Sequence, residues 1–282
     1  MADKKVIDVR KRLHRPGVHR GKRISGPRKL GSALAQITRE EVGEIRDEWH
    51  NIHYRWWVVT LSGVLVFFFL SYSFYTQLGW VADQRSLPKG TDWALRHLPV
   101  VDVLPVLSWG WFALHLYAAW VAITHYPRRM PFLMFMLGMY MIVRTVFIFL
   151  SPIGPPEGMV DMRESDIIFS RILGKYTFTN EFIFSGHTSL PFLFFLFFEG
   201  PFRKSVMFCG SLTMGVCVLL SHNHYTVDVL AAYPMSYSIY IISDKCYQRY
   251  IHPLFQESPS RVSGKGTMGN VCELAVRSRT CD

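Results

Sequence analysis

Charge is nearly missing from long stretches of this chain. Of 282 residues, 18% are Asp, Glu, Lys or Arg and 50% are hydrophobic, and apolar runs dominate from Trp56 to Ser243. A soluble core of this size does not need so many long uncharged runs, so an ordinary water-soluble domain is excluded. Cysteine is scarce too. Of the five, Cys209 and Cys217 sit inside an apolar run, and Cys246, Cys272 and Cys281 follow the last one. None falls in a segment assigned to the exterior, which argues against a disulfide framework. Cys246 is a candidate acylation site, an unmodified thiol being the simpler reading. The first apolar run begins only after about 50 residues, too late for a cleavable signal peptide, so none is expected. No clear set of His, Cys and acidic residues stands at metal-ligand spacing, and neither a metal nor a cofactor is expected.

What remains is unevenly placed. The net charge is +10, and the first 55 residues hold 14 Lys and Arg against 7 Asp and Glu. Nucleic-acid binding is the bland account of such charge, but positive charge flanking membrane spans fits the apolar runs better. Residues 1–31 read as a disordered basic arm, and Glu40 to Trp49 as a short helix at the membrane surface. Six apolar spans follow, at 56–76, 106–124, 131–151, 184–199, 205–221 and 226–243. The last three are near the lower length limit for a crossing, which suits helices that end early at a site. The expected fold is therefore all-α: a polytopic membrane protein with six transmembrane helices. Its parts are a cytoplasmic basic segment (1–55), a six-helix catalytic domain (56–245) and a short cytoplasmic tail (246–282).

Six crossings put both termini on one side. With the N-terminus inside, cytoplasmic segments hold 24 Lys and Arg and exterior loops six, with Arg144 alone inside a span. The asymmetry favours both termini in the cytoplasm. His187, His224 and Asp228 then fall at exterior or lumenal span ends. The host membrane stays open: Golgi or plasma membrane in a eukaryote, inner membrane in a bacterium.

Two polar islands stand out, Phe184-Ser185-Gly186-His187-Thr188 and His224-Tyr225-Thr226-Val227-Asp228. Residues four apart on a helix share a face, so Asp228 can orient the His224 imidazole and leave its other nitrogen free to attack phosphorus. The plainer alternative is a histidine that merely starts a span beside an acid. Ser185 and the free N–H groups at a helix start can hold phosphate oxygens, and Gly186 permits close backbone approach. His187 can act as general acid and then base. Arg144 suggests phosphate contact at headgroup depth, with snorkelling as its bland account. Asp161, Glu164, Asp166 and Glu181 are candidate contacts for a cationic headgroup.

These residues resemble the sphingomyelin synthase family, the membrane branch of the type-2 phosphatidic acid phosphatase superfamily. A ten-residue family motif ending Phe-Ser-Gly-His-Thr is matched by Thr179 to Thr188, and a His-Tyr-Thr-x-Asp-Val motif by His224 to Val229. Arg128, Arg129, Tyr140 and Arg144 are similar to a third motif, Pro152 to Gly158 to a Pro-rich segment, and Pro99 to Asp102 loosely to the first motif. The third motif usually opens Cys-Gly-Asp, whereas Thr179-Asn180-Glu181 stands here. The resemblance implies a catalytic triad of His187, His224 and Asp228. It places Tyr140, Arg144, Glu181, Ser185, Gly186 and Tyr225 at the substrate. It also implies transfer of phosphocholine or a similar headgroup from a glycerophospholipid to ceramide through a phosphohistidine. Diacylglycerol as acceptor stays open, and the alternative is a lipid phosphatase or phospholipase C using water. Membrane lipids are the expected partners, nucleic acid is not, and homo-oligomerisation is left open.

Overall fold

The computed structural model describes residues 39, 41–50, 52–160, 178 and 180–255. The basic arm 1–31, Glu40, Asp161, Glu164, Asp166, Thr179, Cys272 and Cys281 lie outside the described residues. The chain divides into two units, Met1–Asp47 and Glu48–Asp282. In the first, residues 41–47 are helical, where a short helix was expected.

Among the described residues of the second unit, six helices account for most of the fold. They are α1 (Tyr54–Asp83), α2 (Trp111–His125, entered through a π-turn at Val106–Gly110), α3 (Met130–Leu150), α4 (Gly186–Phe197), α5 (Pro201–Leu220) and α6 (Thr226–Cys246). Among the described residues there is no β-sheet, only one isolated parallel bridge between Lys89 and Gly154. Among the described residues, four segments are long and apolar enough to cross a membrane: Tyr54–Asp83, Val106–His125, Pro127–Leu150 and Pro201–Leu220. The other two expected spans are helices, but of different character. α4 has 12 residues, a reach of about 18 Å at 1.5 Å per residue, against roughly 30 Å of hydrocarbon. α6 has 21 residues, but its serines, tyrosines and Asp228 make it less apolar.

Local chemistry sets these boundaries. Pro201 at the first position of α5 lacks an N–H that would have no helical partner anyway, and Gly200 before it takes φ +83°. Pro191 inside α4 cannot donate to the carbonyl four residues back, so the His187 carbonyl loses its ladder partner. The fourth apolar run was expected from 184, yet residues 180–185 are not helical and α4 starts only after Ser185 in extended conformation. Non-helical backbone at membrane depth is tolerated where protein covers it, and Phe182, Phe184 and Ser185 are all buried.

α1 packs along α3, α3 and α4 against α6, and α4 against α5. In lipid, apolar burial alone drives little association, so close approach matters more. Gly138 on α3 supplies it: a Cβ there would lie 2.5 Å from the Phe67 ring of α1. Alternating helix directions then gather chain ends at two poles. At one, Trp57 Nε1 donates to the Pro127 carbonyl (2.7 Å), Tyr126 Oη to the Glu199 carbonyl (2.9 Å), and Arg129 pairs with Glu199 (2.7 Å). At the other, Arg85 after α1 donates to the Phe149 carbonyl at the end of α3 (2.8 Å). There too, Val101 N–H donates to the Leu220 carbonyl at the end of α5 (2.8 Å). The starts of α4 and α6 lie at this second pole, and so do both polar islands.

Candidate active site

The turn from α5 to α6 places the second island. After Leu220, His222 takes a left-handed backbone (φ +53°), and Asn223 N–H reaches back to the Val218 carbonyl at 2.9 Å. This six-to-one bond, with His222 N–H on the Leu219 carbonyl (3.1 Å), ends the helix as a Schellman motif. His224 therefore precedes α6 and is not on its first turn, as the four-residue spacing had suggested. The pair forms all the same, by a different device. Asp228, third residue of α6, turns its carboxylate back as in half a capping box. Oδ2 accepts the Tyr225 N–H at 3.1 Å and meets His224 Nδ1 at 3.3 Å. A carboxylate only accepts, so Nδ1 carries the proton and Nε2 keeps its lone pair. His224 is 6% exposed and Asp228 2%. The Asp228 carbonyl also accepts the Ser185 N–H (3.1 Å), tying the two islands together through backbone.

The first island forms the start of α4. Its leading N–H groups have no partner within the helix, which makes this end favourable for an anion. Ser185 Oγ and Thr188 Oγ1 are buried there without a hydrogen-bond partner among the described residues. His187 lies within electrostatic range of His224, Arg144 and His115, and its ring centroid is 6.3 Å from that of Trp111. Arg144 comes up from α3 beneath the same helix start. Its Nη1 donates to the Phe184 carbonyl and its Nη2 to Glu181 Oε2 at 2.8 Å. Gly186 eases this approach, since a Cβ there would stand 3.2 Å from the guanidinium carbon and the side chain would have to give by a few tenths of an ångström. So both histidines, the acid, the cation and a helix N-terminus share one end of the bundle. The set holds a bare imidazole nitrogen, a second imidazole for proton transfer and positive charge for phosphoryl oxygens.

Other expected substrate contacts are engaged by protein. Glu181 accepts the Tyr75 hydroxyl on its second oxygen, so both oxygens have partners within the fold. Tyr140 is buried and bonds Ser189 Oγ at 2.7 Å. The Tyr225 hydroxyl donates to the Gly154 carbonyl (2.9 Å) and accepts the Gly90 N–H (2.8 Å), joining three loops. Arg128 and Arg129, read as topology anchors, sit at the opposite pole, where each forms an ion pair. Among the described residues, no cluster of three His, Cys, Asp or Glu side chains is arranged to hold a metal.

Two residues escaped the sequence reading. His115 on α2 donates Nδ1–H to the Trp111 carbonyl (2.7 Å), stacks within 3.9 Å of the Trp111 ring and leaves Nε2 buried without a partner among the described residues. Its only signal was a histidine four residues after a tryptophan in an apolar helix. Asp92 is the other. Its Oδ1 accepts the N–H groups of Ala94 (2.9 Å) and Leu95 (3.2 Å) and the Thr226 hydroxyl (3.0 Å), while Oδ2 accepts the Thr226 N–H (2.6 Å). An Asp two residues before a helical turn is a readable cap; its reach to the start of α6 is not.

Burial raises the Asp92 pKa, but the bonds from Thr226, Leu95 and Ala94 outweigh it and hold the carboxyl below its usual 3.8. A carboxylate with depressed pKa stabilises the fold above its unfolded-state value and loses that contribution as pH falls through the folded one. Thermal stability is therefore expected to be level above about pH 5 and to drop below about pH 4. Asp92→Asn should flatten that drop and lower the plateau, read as thermal midpoints in detergent between pH 3 and 7. An unchanged acid limb in the variant would dismiss the clamp.

Comparison with known proteins bears on the same stretch. The family model "PAP2 superfamily C-terminal" matches residues 180–245. Phosphatidylcholine:ceramide cholinephosphotransferase 1 of Gallus gallus is 37% identical over 68 residues, covering 22% of this chain and 16% of its own. Phosphatidylcholine:ceramide cholinephosphotransferase 2 of Rattus norvegicus and of Mus musculus are each 35% identical over 68 residues, covering 22% of this chain and 19% of theirs. The chain thus spans less than a fifth of the length of these curated relatives. Residues 180–245, which include His187, His224 and Asp228, are similar to the PAP2 superfamily C-terminal region, and over 68 residues the chain is similar to ceramide cholinephosphotransferases.

Proposed function

We propose that this protein is a membrane transferase. It moves a phospholipid headgroup, phosphocholine or a close analogue, from a glycerophospholipid to ceramide. The reading includes six crossings, both termini cytoplasmic and the site on the lumenal or exterior side. His224 Nε2 attacks the donor phosphorus, and the bond from phosphorus to the diacylglycerol oxygen breaks. His187 supplies the proton that the departing alkoxide takes. The headgroup then rests on His224 as a phosphohistidine. The primary hydroxyl of ceramide attacks phosphorus while His187 removes its proton, the phosphorus–nitrogen bond breaks, and both histidines return to their starting states. Arg144 and the N–H groups opening α4 stabilise charge on the phosphoryl oxygens.

The observation that carries this reading is the His224–Asp228 contact at 3.3 Å, with His187 in electrostatic range of both His224 and Arg144. No group in that set needs water as a reactant. Labelled phospholipid is to be supplied to the detergent-purified protein with and without ceramide. Sphingophospholipid should accumulate in the presence of ceramide, with little free headgroup in its absence. Equal release of phosphorylated headgroup in both arms would assign a phospholipase or phosphatase instead.

A further inference from the structure

His224 has an orienting partner in Asp228. Among the described residues, no hydrogen bond holds the ring of His187. That matters for a group that gives and takes a proton. A neutral imidazole has one N–H and one bare nitrogen, and a base must turn the bare one to its substrate. An imidazolium has two N–H groups, so while one serves the substrate the other needs an acceptor. In both states the His187 ring wants an acceptor on its far side.

His115 offers one. It lies one turn after Trp111 on α2, in electrostatic range of His187. The Trp111 ring neighbours both imidazoles, with centroids 3.9 Å from His115 and 6.3 Å from His187. His115 also meets Phe194 edge-on at 5.7 Å, so it faces α4, the helix that carries His187. Helical side chains lean toward the N-terminus, which on α2 is the end beside His187. The Trp111 carbonyl 2.7 Å from Nδ1 can only accept, so Nδ1 carries the hydrogen and Nε2 is bare. Nε2 is buried without a partner among the described residues. Closed off in this way, it suits a donor from the protein and not a ligand in a cavity. An unpaired buried acceptor is costly, and an apolar side chain here would avoid the cost. One imidazole lacks an acceptor, and its neighbour lacks a donor.

We infer that His115 is the positioning residue of His187. Its Nε2 accepts an N–H of the His187 ring when ceramide is bound, which turns the other His187 nitrogen to the reacting oxygen. The two rings are not hydrogen-bonded as they stand, and catalytic contacts of this kind tighten in the substrate complex. No proton passes to His115. Its Nδ1 keeps the hydrogen given to the Trp111 carbonyl, and Nε2 only accepts. A carboxylate in this place would favour the charged imidazole, whereas a neutral acceptor orients the ring with less bias between its two states. The role of His115 rests on the transferase reading, in which His187 handles the proton.

The test has two arms on the full chain. In the first, transfer is followed at saturating donor with ceramide varied. His115→Leu should lower kcat by about 10- to 100-fold, the scale of losing the partner that orients an imidazole, and leave KM for ceramide nearly unchanged. Leu replaces a buried unpaired atom by an apolar one, so the thermal midpoint should hold or rise. His115→Gln supplies a carbonyl oxygen and an N–H on one planar head and should recover most of the lost kcat. The second arm needs no turnover. On the His224→Ala chain in bilayers holding ceramide, NMR with isotope-labelled histidine should show a coupling between His115 Nε2 and a His187 nitrogen across their hydrogen bond, gone in His115→Leu. Full kcat in His115→Leu, a loss that Gln fails to recover, or no coupling would each overturn the pair. A coupling seen in a chain that transfers no headgroup would uphold the pair and remove the transferase reading instead.

Discussion

His224→Ala is expected to lower headgroup transfer by at least about 10³-fold, the scale seen when a covalent nucleophile is deleted. The fold should survive the change. The imidazole makes one described hydrogen bond, to Asp228, whose Oδ2 keeps the Tyr225 N–H. His187→Ala should cost about 10²- to 10⁴-fold, as loss of a general acid does. Asp228→Asn is the more diagnostic variant. The amide offers one oxygen where two donors converge, so the His224 tautomer is no longer imposed and transfer should fall by about 10²-fold or more. With radiolabelled donor and no ceramide, label should stay on the unsubstituted protein and be absent from His224→Ala. Label retained by His224→Ala would remove His224 as the nucleophile and the transfer scheme with it.

Arg144→Met is expected to destabilise the protein by about 3–5 kcal/mol, the usual consequence of breaking a buried ion pair from one side. Arg144 is 4% exposed, and its loss strands the Glu181 carboxylate, with only the Tyr75 hydroxyl, and the Phe184 carbonyl. Glu181→Gln should be milder, because the amide oxygen still accepts from Arg144. The double variant Arg144→Met, Glu181→Gln should recover part of the loss, since no charge is then left buried. A double-mutant cycle read from thermal midpoints measures that coupling. Additive losses in the cycle would mean that the two side chains act independently and that Arg144 serves the site some other way. Lys at 144 should not rescue, because an ammonium is a compact point charge and lacks the planar fork that reaches Phe184 and Glu181 together.

Much of this molecule was legible before any coordinates. Helices stand at all six apolar runs, since long uncharged stretches have few alternatives to helix in a bilayer. Their lengths were less legible. α1 continues to Asp83 because Gly79 and Ala82 pack there, against Phe178 in the case of Gly79, a partner about a hundred residues away. α4 is shorter than its apolar run because residues 180–185 are held out of helix by bonds to Arg144, Asp228 and Asp83. Hydropathy cannot register such contacts, as it scores each residue without its neighbours in space.

The site divides along the same line. Residue identity alone singled out His187, His224 and Asp228, because imidazole and carboxylate are recognisable wherever they fall, and the spacing from His224 to Asp228 is short. Arg144 stood out for the same reason, as a charge where none is expected. Long-range placement is what the linear order withholds. That Glu181 faces Arg144 and Tyr75, that Asp92 clamps α6, and that His115 lies beside His187 all depend on side chains meeting across distant helices. Such meetings are set by packing between helices, a many-body property, and by buried polar groups that each demand a partner.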